Sequence, residues 1–338
     1  MSAPPGGSRS GASKGATSAE SVRGGAAAVV TFVVIAHNEA AGIEHCLRAI
    51  AAQSDLPAFE IVVVDDCSDD ATPFVIAQVA AGVPELRTVR LPANLGRGAA
   101  RAAGVGAAQG QLIAMVDSDI VLPPDWFSRC REHLEGRDVV SGTAVPDGDV
   151  GFLARQFRLQ PKVVASATRT TGNNALFRRT VFEHVSYEEA LREGEDVALD
   201  HQMDAAGVVR GVVPGLRVEH REHKTFRDEF RWLFESGLGA SRQFERYRKV
   251  REPDVALALM LFAVVAPWLT GRRSTRRLAA PVACLALLSV AHVARKFEAR
   301  SHPVRFLGAT AADSALLSSY FAGRLAGHVR LRFDARAR

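Results

Sequence analysis

Five short runs rich in valine, isoleucine and leucine constrain this chain more than any other feature: Val30–Ala36, Glu60–Asp65, Leu86–Leu91, Leu112–Asp117 and Val139–Thr143. Four of them are apolar without alternation. That is the pattern of strands covered on both faces, as in a parallel sheet flanked by helices. Between the runs lie helical patterns at Ala40–Gln53, Asp70–Ala81, Arg97–Gln109 and Pro124–Leu134. The alternation predicts an α/β domain with a doubly wound, mostly parallel sheet. After Thr143 the alternation weakens, and a mixed sheet with longer loops is expected up to about His223.

Sheets of this kind hold ligands beyond the carboxyl ends of their strands. The polar residues fall there: Asn38 and Glu39 after the first run, Asp65 and Asp66 after the second, Asn94 after the third, Asp117 and Asp119 after the fourth. Four strand ends converge. Asp117-Ser118-Asp119 closes a buried run, and two carboxylates one residue apart offer the hard oxygen ligands that Mg²⁺ or Mn²⁺ prefers. Without a counter-cation, such a pair at the end of a buried strand is costly.

Taken together, Val33–Glu39, Ile61–Asp70, Asn94–Arg101 and the Asp117–Asp119 triplet resemble family 2 glycosyltransferases of GT-A fold, in order and spacing, over residues 29–225. Ala36 stands where that family often has proline. The resemblance implies a nucleoside-diphosphate sugar as donor. Ala36, Asn38, Glu39, Asp65 and Asp66 would hold base and ribose, the carboxylates accepting from ring N–H and hydroxyl groups. Asn94, Gly96 and the loop through Gly98 would let backbone approach the nucleotide, and Arg101 would pair with a carboxylate or with phosphate. Asp117 and Ser118 would lie on the ribose, while Asp119 would take the metal, with His220 as a further metal or diphosphate contact. Gly172, Asn173 and Asn174 resemble the segment beneath donor sugar and acceptor. Glu195-Asp196 resembles the catalytic acidic pair, with Asp196 by position the base of an inverting transfer. Gln243–Tyr247 is similar to the QxxRW signature of processive members but ends in Tyr, and reads better as part of an amphipathic interface helix.

The expected organisation is a disordered tail (1–27), a GT-A catalytic domain (28–225), an interface helix (226–252) and an apolar helical hairpin followed by an amphipathic helix (253–330). The tail lacks an apolar face to offset ordering entropy. The Ala26–Ala36 run reads as a strand rather than a leader, because His37-Asn38-Glu39 follows it instead of a small-residue cleavage site. Four scattered cysteines (Cys46, Cys67, Cys130 and Cys284) read as a reduced set.

Val255–Leu269 and Leu278–Ala294 are shorter than the roughly 20 residues a bilayer crossing needs. Basic residues sit between them and at both outer ends, so all three connections prefer one side of a membrane. An interfacial or re-entrant hairpin on the cytoplasmic face of the cell membrane satisfies this; two short tilted spans or a helical core are the alternatives. The net charge of +5 alone is neutral among partners, but only three Trp and three Tyr are present. The arginines track the apolar segments, not an aromatic stacking surface, which argues against nucleic acid.

The expected function is a metal-dependent, inverting hexosyl transfer to a hydroxyl of a lipid-linked, cell-envelope or natural-product acceptor. A polyprenyl-phosphate acceptor and a catalytically inactive, nucleotide-sugar-binding subunit are the alternatives. Donor sugar, base and oligomeric state stay open at this point.

Overall fold

The computed structural model describes residues 29–146, 173–221, 225–248, 250, 279–296 and 303–336, with isolated residues between 153 and 262. The tail at 1–27 lies outside the described residues, as do Gly172 and most of the first C-terminal apolar segment.

In chain order the elements are β1 (Val30–Ala36), α1 (Ile43–Ala51), β2 (Phe59–Asp65), α2 (Thr72–Ala80), β3 (Leu86–Arg90), α3 (Arg97–Ala107), β4 (Leu112–Asp117) and β5 (Ile120–Val121). They continue with α4 (Trp126–His133), β6 (Val139–Pro146), β7 (Asn174–Arg178), α5 (Glu195–Ala205), β8 (Arg210–His220), α6 (Phe226–Tyr247), α7 (Ala279–Lys296) and α8 (Pro303–Arg336). The eight strands form one mixed sheet in the order β3-β2-β1-β4-β7-β6-β8-β5. The pairs β1–β2, β1–β4, β2–β3 and β6–β8 are parallel.

Alternate residues of β1 explain why its run is apolar throughout. Phe32 packs with Trp126 and Phe127 on the α1/α4 face, while Val33 packs with Met115, Phe177 and Leu199 on the other. Each such side chain contributes on the order of 1.5–3 kcal/mol on full burial. Chain order reverses at β1, which lies between β2 and β4, and a crevice opens at the carboxyl ends there. Register then sets distant residues side by side: Ala36 opposite Asp65, and Ile35 opposite Asp117.

Four strands, β7, β6, β8 and β5, complete the sheet. β7 runs antiparallel to β4, with Asn174 opposite Val116. β8 contains Pro214 and Gly215 (φ +66°), which hide it from strand patterns, and its pairing with β6 shifts register between Ser141 and Thr143. The two-residue β5 pairs with the end of β8, placing Ile120 opposite His220.

The interface-helix expectation becomes α6, which begins at a capping box: Thr225 Oγ accepts from the Asp228 amide and Asp228 accepts from the Thr225 amide. α8 extends to Arg336, past the expected boundary at 330, and lies against α6. Ser241 donates to the Arg324 carbonyl (2.7 Å) and Ser319 to the Phe230 carbonyl (2.6 Å). α7 is tied to α8 by His292 and Asp313 at 2.8 Å. Among the described residues no helix is long and apolar enough to cross a membrane.

Candidate active site

The nucleoside end is built where β1, β2 and the loop before α3 meet. The Asp66 carboxylate accepts the backbone N–H groups of Leu95 (2.7 Å) and Gly96 (2.8 Å), so a β2 carboxylate fixes the β3–α3 loop. Asp65 accepts from the Ser68 amide at 2.9 Å and is paired with Arg90. Asn94 Nδ2 donates to His37 Nε2 (2.7 Å), which leaves His37 Nδ1–H to donate to the Asp66 carbonyl (2.9 Å). Asn38, at φ +58°, exchanges side-chain hydrogen bonds with Asp69. The Glu39 amide donates to Thr72 Oγ (2.8 Å), and the Ala36 carbonyl accepts from the Asp66 amide. His37, Asn38, Asp69, Arg90 and Leu95 are exposed at this end.

The glycine loop, expected to approach the nucleotide, is packed against residues 188–192. Gly96 (φ +95°) and Gly98 make room for protein backbone: a Cβ on Gly96 would sit 2.7 Å from Arg192 Cα, and one on Gly98 would overlap the Glu188 and Leu191 carbonyls. The Gly98 amide donates to the Leu191 carbonyl (3.0 Å), and Arg192 Nη1 donates to the Asn94 carbonyl (2.7 Å). Residues 188–193 therefore lie directly on the donor-side loop.

Arg101 joins the two acidic motifs. It is 3% exposed, and its guanidinium donates through Nη2 to Asp117 Oδ1 (2.7 Å) and through Nε to Glu195 Oε1 (3.0 Å) over the Tyr187 ring. Of the two roles expected for Arg101, the structure shows carboxylate pairing. Burial pushes the Glu195 carboxyl up while Arg101 opposes the shift; burial likewise raises the Tyr187 hydroxyl. Glu195, expected beside Asp196 in the catalytic pair, is only 2% exposed and is held by Arg101 at the α5 N-terminus. Its neighbour Asp196 is exposed, held by its own turn through Val197 N–H to Oδ1 at 2.8 Å.

Asp119 stands at the turn between β4 and β5. Its Oδ2 is 3.0 Å from His220 Nε2, and its Oδ1 is buried with no hydrogen-bond partner. β5–β8 pairing brings these two residues together across 101 positions. An orphaned buried carboxylate oxygen beside an imidazole fits a divalent cation. Among the described residues no group of three acidic, His or Cys side chains forms a ready cage. Ser118 is buried beside Gly42 at the start of α1.

Asn174, expected beneath donor sugar and acceptor, is engaged by protein groups. Its side chain has no exposed surface, and its Oδ1 accepts from the Gly142 amide (2.8 Å) and the Trp126 indole (3.4 Å). Asn173 is partly exposed, and its carbonyl accepts from the Asp117 amide at 3.1 Å. Arg90, Arg192 and Tyr187 escaped sequence reading, because nothing in their local spacing ties them to the motifs they touch; Gln243 entered it only through the Gln243–Tyr247 likeness, with no link to Gly194.

A parallel half-sheet with its switch point at β1, an Asp-Ser-Asp triplet at the end of β4 and an acidic helix start beside it define a glycosyltransferase of GT-A type. The comparisons agree. The Glycosyl transferase family 2 profile matches residues 31–186. Succinoglycan biosynthesis protein ExoO of Rhizobium meliloti is 32% identical over 268 residues, 68% of this chain and 76% of that protein. The undecaprenyl-phosphate 4-deoxy-4-formamido-L-arabinose transferase of Aeromonas hydrophila is 31% identical over 144 residues, 41% and 44% of the two chains. A mannosyltransferase of Pyrobaculum calidifontis, solved with GDP-Man and Mn²⁺, shares the fold (TM-score 0.55, 21% identity, 87% of each chain). This chain belongs to glycosyltransferase family 2.

Proposed function

We propose that the chain is an inverting hexosyltransferase that uses a nucleoside-diphosphate sugar and a divalent metal, Mn²⁺ or Mg²⁺, at the cytoplasmic face of the cell membrane. The observation carrying this reading is Asp119, whose unpartnered buried oxygen lies beside His220 at the switch-point crevice. Asp119 and His220 would hold the ion, and a bound ion would offset the charge of the departing diphosphate. Asp196 is the general base: it takes the proton of the acceptor hydroxyl as that oxygen bonds to the anomeric carbon and the bond to the diphosphate breaks. Arg101 keeps the ends of β4 and α5 in one frame, so donor and base approach with fixed geometry.

The acceptor we infer is a lipid-linked or cell-envelope hydroxyl, in keeping with a relative named for succinoglycan biosynthesis. A polyprenyl phosphate is the second reading, favoured by the relative named as an undecaprenyl-phosphate sugar transferase. A phosphate nucleophile needs little help from a base, so Asp196 separates the two. The test is a thermal-shift panel of UDP- and GDP-sugars with and without Mn²⁺, followed by transfer assays on a sugar-bearing polyprenyl lipid and on polyprenyl phosphate. Asp196→Asn should keep donor binding and lose about 10²–10⁴-fold in transfer to a hydroxyl. If no donor shifts the melting temperature under any metal condition, the reading fails.

A further inference from the structure

One face of α6 lies along the segment that leads into the candidate base. Gly239, Arg242, Gln243, Arg246 and Tyr247 recur at i, i+3, i+4, i+7 and i+8, the spacing of one helical stripe. Each touches residues 188–194. A Cβ on Gly239 would come 2.8 Å from the Glu193 carbonyl. Arg242 donates to the Ala190 carbonyl (3.1 Å), while Arg246 and Tyr247 both donate to the Glu188 carboxylate (2.6 Å each). Gln243, 2% exposed, donates its Nε2–H to the Gly194 carbonyl at 2.9 Å.

Gly194 is the N-cap of α5. It sits at φ +80°, in the left-handed region, and α5 has no side-chain cap. Its carbonyl also takes the first helical bond, from Ala198 (3.1 Å). The Gln243 amide is therefore a direct restraint on the residue from which Glu195 and Asp196 start. The opposite side of the same segment packs on the loop before α3, through Gly98 and Arg97 to the Leu191 and Arg192 carbonyls. Residues 188–194 are held between the donor-side loop and α6.

We propose that Gln243 is a positioning residue for transfer: by fixing the Gly194 carbonyl it sets the direction in which Asp196 leaves the α5 N-terminus. The C-terminal helices thereby form part of the catalytic frame. This inference rests on the reading of Asp196 as base, and it has a readout independent of turnover.

The experiment uses the full chain with Gln243→Leu and Gln243→Glu. Gln243→Leu fills similar volume without the donor. It should lower kcat by about 10- to 100-fold, the size of effect expected from a small misplacement of a reacting group. KM for the donor should stay within about twofold, because the nucleoside end is untouched. Amide hydrogen exchange in a peptide covering residues 193–200 should rise, with the peptide covering β1 unchanged. Gln243→Glu sets an acceptor against a carbonyl, and only its protonated form restores a donor. Its kcat relative to wild type should therefore recover as pH falls towards about 5. Unchanged exchange at 193–200 in both variants overturns the inference, as does a parallel loss of donor affinity, turnover and global stability. Absence of transfer by the wild-type protein would instead sink the glycosyltransfer reading, and the exchange result would still decide whether Gln243 holds Gly194.

Discussion

At the scale of single residues, charge decides which carboxylates are free to act. Asp65, Asp66 and Asp117 are held by arginines or backbone amides; Asp119 and Glu195, each bonded through one oxygen, keep the other buried with no hydrogen-bond partner, and Asp196 is exposed. Asp119→Ala should abolish the Mn²⁺-dependent part of nucleotide binding and all turnover; calorimetry with and without EDTA checks both. Turnover that survives EDTA would remove the metal from the mechanism. Arg101 is the costliest side chain to lose, because two carboxylates depend on it. Arg101→Met should cost roughly 3–5 kcal/mol, the range for breaking a buried ion pair. Adding Glu195→Gln should recover part of that in urea denaturation. No recovery would mean that the Glu195 contact contributes little.

At the scale of elements, caps and close approaches hold the site together. The α6 capping box joins Thr225 and Asp228, and hydrogen bonds from Thr225 hold the Asp228 carboxyl below its usual range. A depressed carboxyl contributes stability that is present above its unfolded value and lost as pH falls through the folded one. Thr225→Ala should therefore cost about 1 kcal/mol near neutrality. Its difference from wild type should shrink on going from about pH 5 to pH 3. A constant difference across that range, measured by urea melts, would place the stabilisation elsewhere. Of the elements themselves, β1 and β4 were legible residue for residue, since unbroken apolar runs ending in acids leave little choice. β8 was not, because Pro214-Gly215 breaks its pattern and its pairing compensates only in three dimensions. α1 starts at Ile43, three residues later than the apolar spacing suggests, because Ala40–Gly42 form a turn closed by the Gly42 and Ile43 amides on the Glu39 carbonyl.

At the scale of the whole molecule, the C-terminal helices face two ways. α6 is clamped to the segment entering α5, while Val282 and Leu287 on α7 and Val304 and Leu307 on α8 are exposed. Residues 255–297 contain Arg272, Arg273, Arg276, Arg277, Arg295 and Lys296 and no acidic residue. On the proposal of a membrane-surface role, exposed apolar side chains and a sequence segment rich in arginine would favour an anionic bilayer. The protein should sediment with vesicles containing about a third phosphatidylglycerol and much less with pure phosphatidylcholine, the binding weakening as salt rises. Equal binding to both vesicle types would remove the electrostatic part, and binding to neither would remove the membrane from the proposal.

The one-dimensional order of residues determined the parallel half-sheet and the acidic strand ends, because burial on both faces and a polar terminus are properties of contiguous stretches. Only the tertiary structure decided which side chains each acid is paired with. That outcome depends on partners far apart in the chain: Arg101 between Asp117 and Glu195, His220 brought to Asp119 by a two-residue strand, and Gln243 reaching Gly194 from another helix. Each pairing is fixed by packing and register, which no local pattern encodes.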